Sequence, residues 1–137
     1  MPKIVDDKTV YRVAVQAVIE RGYAGATTKQ IAAAADISEV TLFRKYGNKA
    51  NLVKLAMADM FIEMDFASVV HHTGDLDRDL LRVAERYQQL TEQNGQFMAV
   101  ILSEMSRHAE LSDLINTPLT MMGSIGALLV QYQNEGL

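Results

Sequence analysis

The sequence lacks cysteine, so it can form neither a disulfide nor a thiolate metal site, and this absence is compatible with a reducing compartment. It also lacks an apolar segment of signal-peptide length at its start, where MPKIVDDKTV carries several charges. The longest uninterrupted apolar run, FMAVIL at 97–102, has six residues, whereas a membrane-spanning helix needs about 18. These absences predict a soluble, cytoplasmic protein without a membrane partner.

Motifs of catalytic and cofactor sites are missing as well: there is no glycine-rich phosphate loop, no H-E-x-x-H and no G-x-S-x-G. His71 and His72 are adjacent on an expected connector, where two histidines without further ligands rarely hold one ion. Glu104 and His108 are spaced i, i+4, which more often makes a surface pair than a metal site. The sequence therefore predicts no enzyme, no cofactor and no metal; an enzyme built on Tyr87 and His108 is the weakest alternative.

Charge is divided unevenly along the 137 residues. Residues 1–54 contain nine Lys or Arg and five Asp or Glu, a net charge of +4, whereas residues 55–137 carry −8. Hydrophobic residues make up 49% of the chain and charged residues 22%, as in soluble globular proteins that bury a core. An anionic partner is therefore expected for the first part only, although the whole chain carries −4.

Helical periodicity runs through the chain, without repeats or convincing strand alternation. In the first part, the apolar spacing and capping residues predict a helix capped by Asp6 or Asp7 and ended by Gly22, a second over Lys29–Ala35 after Thr28, and a third from Ser38 to Tyr46. Further helices are predicted from Asn48 to about Phe66, over 77–91, over 96–107 and between 119 and 133. The predicted fold class is all-α.

The stretch TTKQIAAAADISEVTLFRKYGNK, residues 27–49, predicts a helix-turn-helix unit. In such a unit a small residue lies inside the first helix, a tight-turn residue follows four positions later, and a buried apolar residue follows six positions after that. Ala32, Asp36 and Leu42 occupy these three positions. Asp is one of the few residues besides glycine that tolerate a positive φ at the turn.

Helical geometry turns one face of the third helix outward when Leu42 points inward. Val40 and Arg44 then lie about 160° and 200° from Leu42 around the axis, and Thr41 lies at about 260°. Such groups can read thymine methyls and base edges in a major groove. Glu39 either accepts from cytosine or strengthens the first turn of its helix. The lysines suited to phosphate contacts are Lys29, Lys45 and Lys49.

The segment GYAGATTKQIAAAADISEVTLFRKYGNKANLVKLA closely resembles the N-terminal signature of the TetR family of bacterial transcriptional regulators. The resemblance covers residues 10–58. It implies a three-helix DNA-binding domain over 1–47, followed over 48–137 by a helical domain for ligand binding and dimerisation that begins with a connecting helix. It also implies a homodimer that occupies a double-stranded DNA operator as a repressor and is released by a small hydrophobic effector. The alternative is a helical protein–protein interaction module whose basic face meets an acidic protein.

The resemblance also implies roles for single residues. Thr28 and Lys49 would contact phosphate, whereas Val40, Thr41 and Arg44 would face bases. The aromatic pair of the family, usually tyrosine then phenylalanine, appears here in the opposite order, so the hydroxyl that commonly reaches phosphate from the first position is absent. The candidate DNA-binding residues are Thr28, Lys29, Ser38, Glu39, Val40, Thr41, Phe43, Arg44, Lys45, Tyr46 and Lys49.

Methionine is concentrated in the second part, where seven of the eight methionines lie beyond residue 55. Because methionine fills irregular space and tolerates varied ligands, an effector pocket and ordinary core packing both stay open for these side chains. Family members are usually longer and dimerise through their last two helices, so the second domain is expected either to be incomplete or to dimerise through another surface. The candidate effector-pocket residues are Met60, Phe61, Met64, Tyr87, Phe97, Met98, Met105 and Met121.

Overall fold

The computed structural model describes residues 5–137, except for the side chains of Met64 and Phe66. No strand occurs between residues 5 and 137, and the all-α prediction is confirmed. The elements are α1 (Asp7–Gly25), α2 (Thr28–Ala34), α3 (Glu39–Tyr46), α4 (Lys49–Met64), α5 (Phe66–Val69), α6 (Leu76–Glu104), a 3₁₀ helix (Ala109–Ile115) and α7 (Asn116–Asn134).

Side-chain caps fix where the first helices begin. The Asp6 carboxylate caps α1, so of the two caps that the sequence leaves open, Asp6 or Asp7, the structure has Asp6. The predicted cap of α2 was wrong by one residue, because Thr27 rather than Thr28 takes that position. The Thr27 hydroxyl accepts from the Gln30 amide at 3.2 Å, and the Gln30 side chain accepts from the Thr27 amide at 3.2 Å. Thr28 could not form this capping box, since the residue three positions later is Ile31.

Two predicted helix ends can be compared with the structure. Gly22 interrupts α1 at a positive φ, as predicted: its φ of +74° and ψ of 171° are not helical, and a second helical segment of α1 follows it to Gly25. The fourth helix ends at Met64 instead of Phe66, because Asp65 takes a positive φ of 47° between α4 and α5.

The two helices predicted over 77–91 and 96–107 are one helix, α6. Asn94 and Gly95 are weak helix formers, and glycine costs a helix interior about 1 kcal/mol relative to alanine. Leu90 and Phe97, on either side of them, are both buried. Because burying side chains of this size contributes more than one glycine costs, the helix continues.

The described chain divides into two compact units. The first unit runs to Ala58 and includes Gln96–Ser112, and the second consists of Asp59–Gly95 and Asp113–Leu137. The core of the first unit contains Val10, Ala14, Ile31, Ala32, Leu42, Tyr46 and Leu52. Buried apolar residues of the second unit are Val69, Val83, Leu90, Leu114, Leu128 and Tyr132.

One stretch of the described chain, Ala109–Asn134, is long and apolar enough to cross a membrane by length and composition alone, with a mean hydropathy of 1.2 over 18 residues. Only 11% of that window is buried. Polar residues such as Asn116, Thr117 and Ser124 interrupt this stretch, so no long uninterrupted apolar run marks it in the sequence. Since helices of soluble proteins pass the same test, the stretch is weak evidence for a membrane.

Candidate nucleic-acid interface

The connection between α2 and α3 has the geometry that the helix-turn-helix spacing predicts. Asp36 adopts a φ of +57°, and the Ile37 amide donates to the Ala32 carbonyl at 3.0 Å, which closes the turn. Ala32 and Leu42 are buried at 2% and 0% exposure. The small residue, the left-handed turn residue and the inward apolar residue of the predicted unit are therefore confirmed.

The outer face of α3 is the candidate reading surface. Ser38 caps this helix by accepting from the Thr41 amide at 3.0 Å. Val40 is 66% exposed and Phe43 is 42% exposed, and Arg44 is exposed as well. The Thr41 side chain is half-buried and accepts a hydrogen bond from the Ser38 hydroxyl at 2.8 Å. A hydrophobic surface, a hydroxyl group and a guanidinium group therefore occupy one side of a capped helix whose other side is core.

Candidate phosphate ligands lie beside this face, some of them with protein partners. Lys29 is exposed in the first turn of α2. The Lys45 ammonium lies 3.0 Å from the Asp7 carboxylate and donates to the Val5 carbonyl at 3.3 Å. Because exposed ion pairs contribute only about 0–1 kcal/mol, a phosphate can compete for Lys45.

Glu39 and Thr28 contact each other. The Thr28 hydroxyl donates to the Glu39 carboxylate at 3.2 Å, which joins the first turns of α2 and α3. Glu39 also lies in the first turn of α3, where a negative charge interacts favourably with the helix dipole. The sequence leaves two roles open for Glu39, accepting from a cytosine or strengthening the first turn of α3. Its position in that first turn fits the second role.

Tyr46, one of the candidate DNA-binding residues, is instead part of the core. Its side chain is 3% exposed, and its hydroxyl donates to the Asp7 carboxylate at 2.6 Å. Burial and this hydrogen bond raise the pKa of Tyr46, whereas the bond from Tyr46 and the nearby Lys45 ammonium lower the pKa of Asp7. Spacing from Leu42 already predicts an inward Tyr46, so its position follows from helix geometry.

Lys49 also contacts protein. Its ammonium donates to the Tyr23 carbonyl at 2.6 Å and lies 4.2 Å from the centroid of the Tyr23 ring. Burial lowers the pKa of Lys49, while the carboxylates of Glu104 and Glu110 oppose that shift. The Tyr23 amide in turn donates to the Glu104 carboxylate at 2.7 Å, and these two residues are 81 positions apart. No local sequence signal therefore indicates the contacts among Lys49, Tyr23 and Glu104.

The predicted effector-pocket residues do not all belong to one unit. Phe97, Met98 and Met105 lie in the first unit, where Phe97 is buried, and the others lie in the second. Tyr87 is 57% exposed, whereas Met60, Phe61 and Met121 are half-buried. The expectation for the Met64 side chain lies outside the described residues.

One member of that set, Met60, lines a groove of about 190 Å³ in the second unit. The other lining residues are mostly polar and are not among the predicted pocket residues, although their spacing on α6 places several of them on one helix face. This groove is suited to a ligand with polar groups more than to a purely apolar one. Its further lining residues are Glu63, Arg86, Gln89, Leu90 and Gln93.

His71 and His72 have separate partners. The His71 ring nitrogen lies 2.9 Å from the Ser68 carbonyl. The His72 ring nitrogen lies 2.8 Å from the Glu135 carboxylate, and the His72 ring is 4.3 Å from that of Tyr132. The two histidines therefore contribute to different contacts of the second unit.

Comparison with known proteins gives related sequences and folds. The family described as "Bacterial regulatory proteins, tetR family" matches residues 10–56. The HTH-type transcriptional regulator YvkB of Bacillus subtilis (strain 168) is 31% identical over 127 residues, which are 92% of this chain and 65% of YvkB. The HTH-type transcriptional regulator Rv1556 of Mycobacterium tuberculosis is 32% identical over 70% of this chain and 46% of its own length. The matched part of this chain thus spans about two thirds of the length of YvkB and about half of the length of Rv1556.

Solved structures share the fold at lower identity. The TetR family transcriptional regulator PfmR of Thermus thermophilus has a TM-score of 0.75 at 17% identity, over 93% of this chain and 71% of PfmR. A TetR-like transcriptional regulator of Rhodococcus sp. RHA1 has a TM-score of 0.73 at 20% identity, over 98% of this chain and 75% of its own. The likeness extends over both units of the chain.

Proposed function

We propose that this chain is a DNA-binding transcriptional regulator of the tetR family of bacterial regulatory proteins, a repressor that a small-molecule effector releases from its operator. One observation carries the proposal. The helix after the turn, α3, is fixed to the core by Leu42 while Val40 and Arg44 are exposed on its other side. An α-helix held in this way fits the major groove, where its outward side chains reach base edges.

The charge distribution supports an anionic partner for the first part of the chain. Residues 1–54 carry a net +4 although the whole chain carries −4. In this proposal Lys29 and Lys45 neutralise phosphates, Thr28 and Ser38 lie at the helix starts beside them, and Arg44 reads a base. Phosphate contacts supply affinity and orientation, and base contacts supply sequence preference. The functional division at residue 47, with DNA binding before it and effector binding after it, is part of this proposal.

A selection of bound sequences from random duplexes tests the proposal directly. We expect a roughly palindromic site to be enriched, because half-sites mirror the two-fold symmetry of a dimer. Binding should weaken steeply with salt, since each neutralised phosphate contributes about −0.9 to the slope of log affinity against log salt. Failure to enrich any sequence, with only an acidic protein binding the basic face, would favour the interaction-module alternative.

Arg44→Ala tests the assignment of base reading. The variant should lose about 1–3 kcal/mol of discrimination between the selected site and random DNA, the contribution of one bidentate base contact. Arg78→Ala, which removes the same exposed charge from α6 in the second unit, is the matched control. Unchanged discrimination in Arg44→Ala would contradict the role of Arg44.

The proposed regulator is a homodimer, and the outer face of α7 supports this part of the proposal. Leu119, Met122 and Leu129 are 55%, 67% and 40% exposed. Together with Gly126, where an added Cβ would meet open space, they have the three-and-four spacing of a coiled-coil seam. The opposite face of α7 is buried within the second unit through Leu128. The helix therefore has a second apolar face that its own unit does not cover.

A second copy of the chain suits this face because it carries no charge. Between Asp113 and Glu135 the sequence contains no Asp, Glu, Lys or Arg, so two copies can pair without like-charge repulsion. A 19-residue helix is about 28 Å long, and one pair of such helices buries less than the roughly 800 Å² per partner of a standard interface. We therefore expect a weak dimer that forms more completely on adjacent half-sites of DNA.

Sedimentation velocity over a concentration series tests the second-copy proposal. Wild-type chain should show a concentration-dependent dimer, and Met122→Glu should shift it to monomer. Leu81→Glu, at a 60% exposed position on α6, is the control and should leave the dimer intact. An unchanged dimer in Met122→Glu, or binding of wild type to neutral phosphatidylcholine vesicles in place of dimerisation, would contradict this surface as the dimer interface.

A further inference from the structure

Glu104 makes a long-range contact in the first unit. It is the last residue of α6, and its carboxylate accepts a hydrogen bond from the Tyr23 backbone amide at 2.7 Å, across 81 positions of sequence. Tyr23 directly follows Gly22, whose positive φ interrupts α1 and leaves nearby backbone groups without regular helical partners. A carboxylate from a distant helix thus satisfies the backbone at the kink.

Gly22 leaves room for this approach. A Cβ at position 22 would lie 2.8 Å from Oε1 of Glu104, so the carboxylate at the end of that side chain would have to shift. The φ of +74° also disfavours any residue with a side chain. Glycine therefore meets two separate requirements here, the backbone conformation and the space that the carboxylate occupies.

The carbonyl of Tyr23 is bound by a charged side chain too. It accepts from the Lys49 ammonium at 2.6 Å, so a carboxylate and an ammonium hold the two backbone groups of one residue. The Tyr23 ring lies beneath the same ammonium at 4.2 Å and contacts the His108 ring edge-on, with ring centroids 4.8 Å apart. We call Tyr23, Lys49, Glu104 and His108 the Tyr23 cluster. It joins the end of α1, the start of α4 and the end of α6.

We propose that Glu104 is a positioning residue for DNA binding and that Lys49 belongs to the Tyr23 cluster and is not a phosphate ligand. This inference rests on the proposed DNA-binding function. Since Lys49 is the first residue of α4 and Tyr23 lies shortly before α2, the cluster fixes the two chain segments that flank α2 and α3. Glu104 lies far outside residues 10–56, so a determinant of DNA reading lies beyond the segment that matches the family.

Charge and burial support the assignment of Lys49. Its ammonium is partly desolvated, and Glu104 and Glu110 are the acids that stabilise its charge there. A phosphate ligand at this atom would have to displace the Tyr23 carbonyl and bring a negative charge towards two carboxylates. Lys29, by contrast, is exposed at the start of α2.

The salt dependence of DNA binding tests the assignment of Lys49, because loss of one phosphate contact reduces the slope of log affinity against log salt by about 1. Lys29→Met, the matched control, should reduce the slope by about 1 and leave the melting temperature unchanged. Lys49→Met should lower both melting temperature and operator affinity while the slope stays the same. A slope reduced by about 1 in Lys49→Met would overturn the assignment.

A double-variant cycle tests the role of Glu104. Gly22→Ala should lower the melting temperature strongly, since the new methyl group meets the Glu104 carboxylate and the φ is strained. In a Glu104→Ala background, Gly22→Ala should lower the melting temperature less, because the carboxylate that the new methyl group would meet is absent. Equal losses in the two backgrounds would overturn the proposed fit between Gly22 and Glu104.

DNA binding separates positioning from simple stability. Glu104→Ala should reduce operator affinity at a temperature where the variant is fully folded, with an unchanged salt slope. Glu104→Gln retains an oxygen that can accept from the Tyr23 amide and should restore most of the affinity. Glu92→Ala, at an exposed position of the same helix, is the control and should bind like wild type. Wild-type affinity in folded Glu104→Ala would overturn the positioning role.

The two sets of measurements also separate this inference from the proposed function. If wild type shows no salt-dependent binding to duplex DNA, the proposed function fails and the positioning role fails with it. If wild type binds DNA but the thermal cycle is additive and Glu104→Ala binds normally, the Tyr23 cluster proposal alone is overturned.

Discussion

The two compact units of this chain are stabilised by different means. In the first unit, small apolar side chains such as Ala14 and Ala32 pack in one core with Leu42. In the second unit a fully buried carboxylate, Asp79, lies among the apolar residues. The first unit therefore combines close apolar packing with the partly buried Tyr23 cluster, whereas the second unit encloses one carboxylate completely.

The network around Asp79 orders the connector before α6. The carboxylate accepts from the Thr73 amide at 2.8 Å, from the Thr73 hydroxyl at 2.6 Å and from Arg82 at 3.2 Å. The Tyr132 hydroxyl also donates to Asp79 and accepts from the Gly74 amide. Burial alone would raise the pKa of Asp79, but the hydrogen bonds from Thr73, Tyr132 and Arg82 outweigh it and hold the pKa well below its usual range.

Leu42→Ala should produce the largest effect. Leu42 is fully buried, and removal of such a side chain costs about 2–5 kcal/mol in the free energy of unfolding, through lost burial and the cavity left behind. Hydrogen exchange should show faster opening of amides in α2 and α3 and smaller changes at α7. Leu81→Ala, at a 60% exposed site, is the control. Equal loss of protection in both units would break the comparison between them.

Asp79→Asn should come next, and its effect should depend on pH. Because the pKa of Asp79 is lower in the folded than in the unfolded state, its contribution is present above about pH 4 and is lost as pH falls through the folded pKa. The variant should be less stable than wild type at pH 7, and the difference should shrink in acid. Chemical denaturation at several pH values measures it. A difference independent of pH would contradict the charged network.

Thr27→Ala should have a smaller effect and lower the free energy of unfolding by about 1 kcal/mol, the usual loss when a helix N-cap is removed. The loss should appear as lower stability and faster exchange at the start of α2 in the first unit. Thr120→Ala is a matched control, since the Thr120 hydroxyl donates to the Asn116 carbonyl within α7 and caps nothing. A larger loss in Thr120→Ala would mean that capping is not what sets the start of α2.

Tyr23→Phe should have the smallest effect, a small loss of stability at neutral pH that disappears in alkali. Burial first, and then the nearby carboxylates of Glu110 and Glu104, raise the pKa of Tyr23 to about 12. The folded-state pKa lies above the unfolded value, so the contribution is present below about pH 10 and is lost as pH rises through the folded pKa. The variant should show a weaker fall in stability between these pH values. An unchanged alkaline profile would contradict the assignment.

Much of the first unit could be predicted from sequence because its signals are local. The left-handed Asp36, the cap at Ser38 and the exposed Val40 all follow from spacing within one short segment. The cap of α2 was misplaced, although Thr27 and Gln30 carry the correct signal three positions apart. The length of α6 could not be read from Gly95, because burial on both sides of it outweighs its low helix propensity.

The side-chain partners of the charged residues were the least predictable part. Lys49 and Tyr46 have the residue types and positions of DNA ligands, yet the structure gives them Tyr23 and Asp7 as partners. Asp79 carried no sequence signal at all, since its donors Thr73 and Tyr132 lie 6 and 53 positions away. A sequence pattern shows which groups are available for bonding, but it does not show which of them meet.

The sequence by itself determined the helical class, the helix-turn-helix spacing and the outward face of α3, because helical periodicity and turn conformation act over a few neighbouring residues. The tertiary structure alone decided that Glu104 reaches the kink at Gly22, that Lys49 contacts Tyr23, and that Asp79 is buried with its donors. Those contacts join residues far apart in the chain, and only packing of whole helices brings such groups within hydrogen-bonding distance.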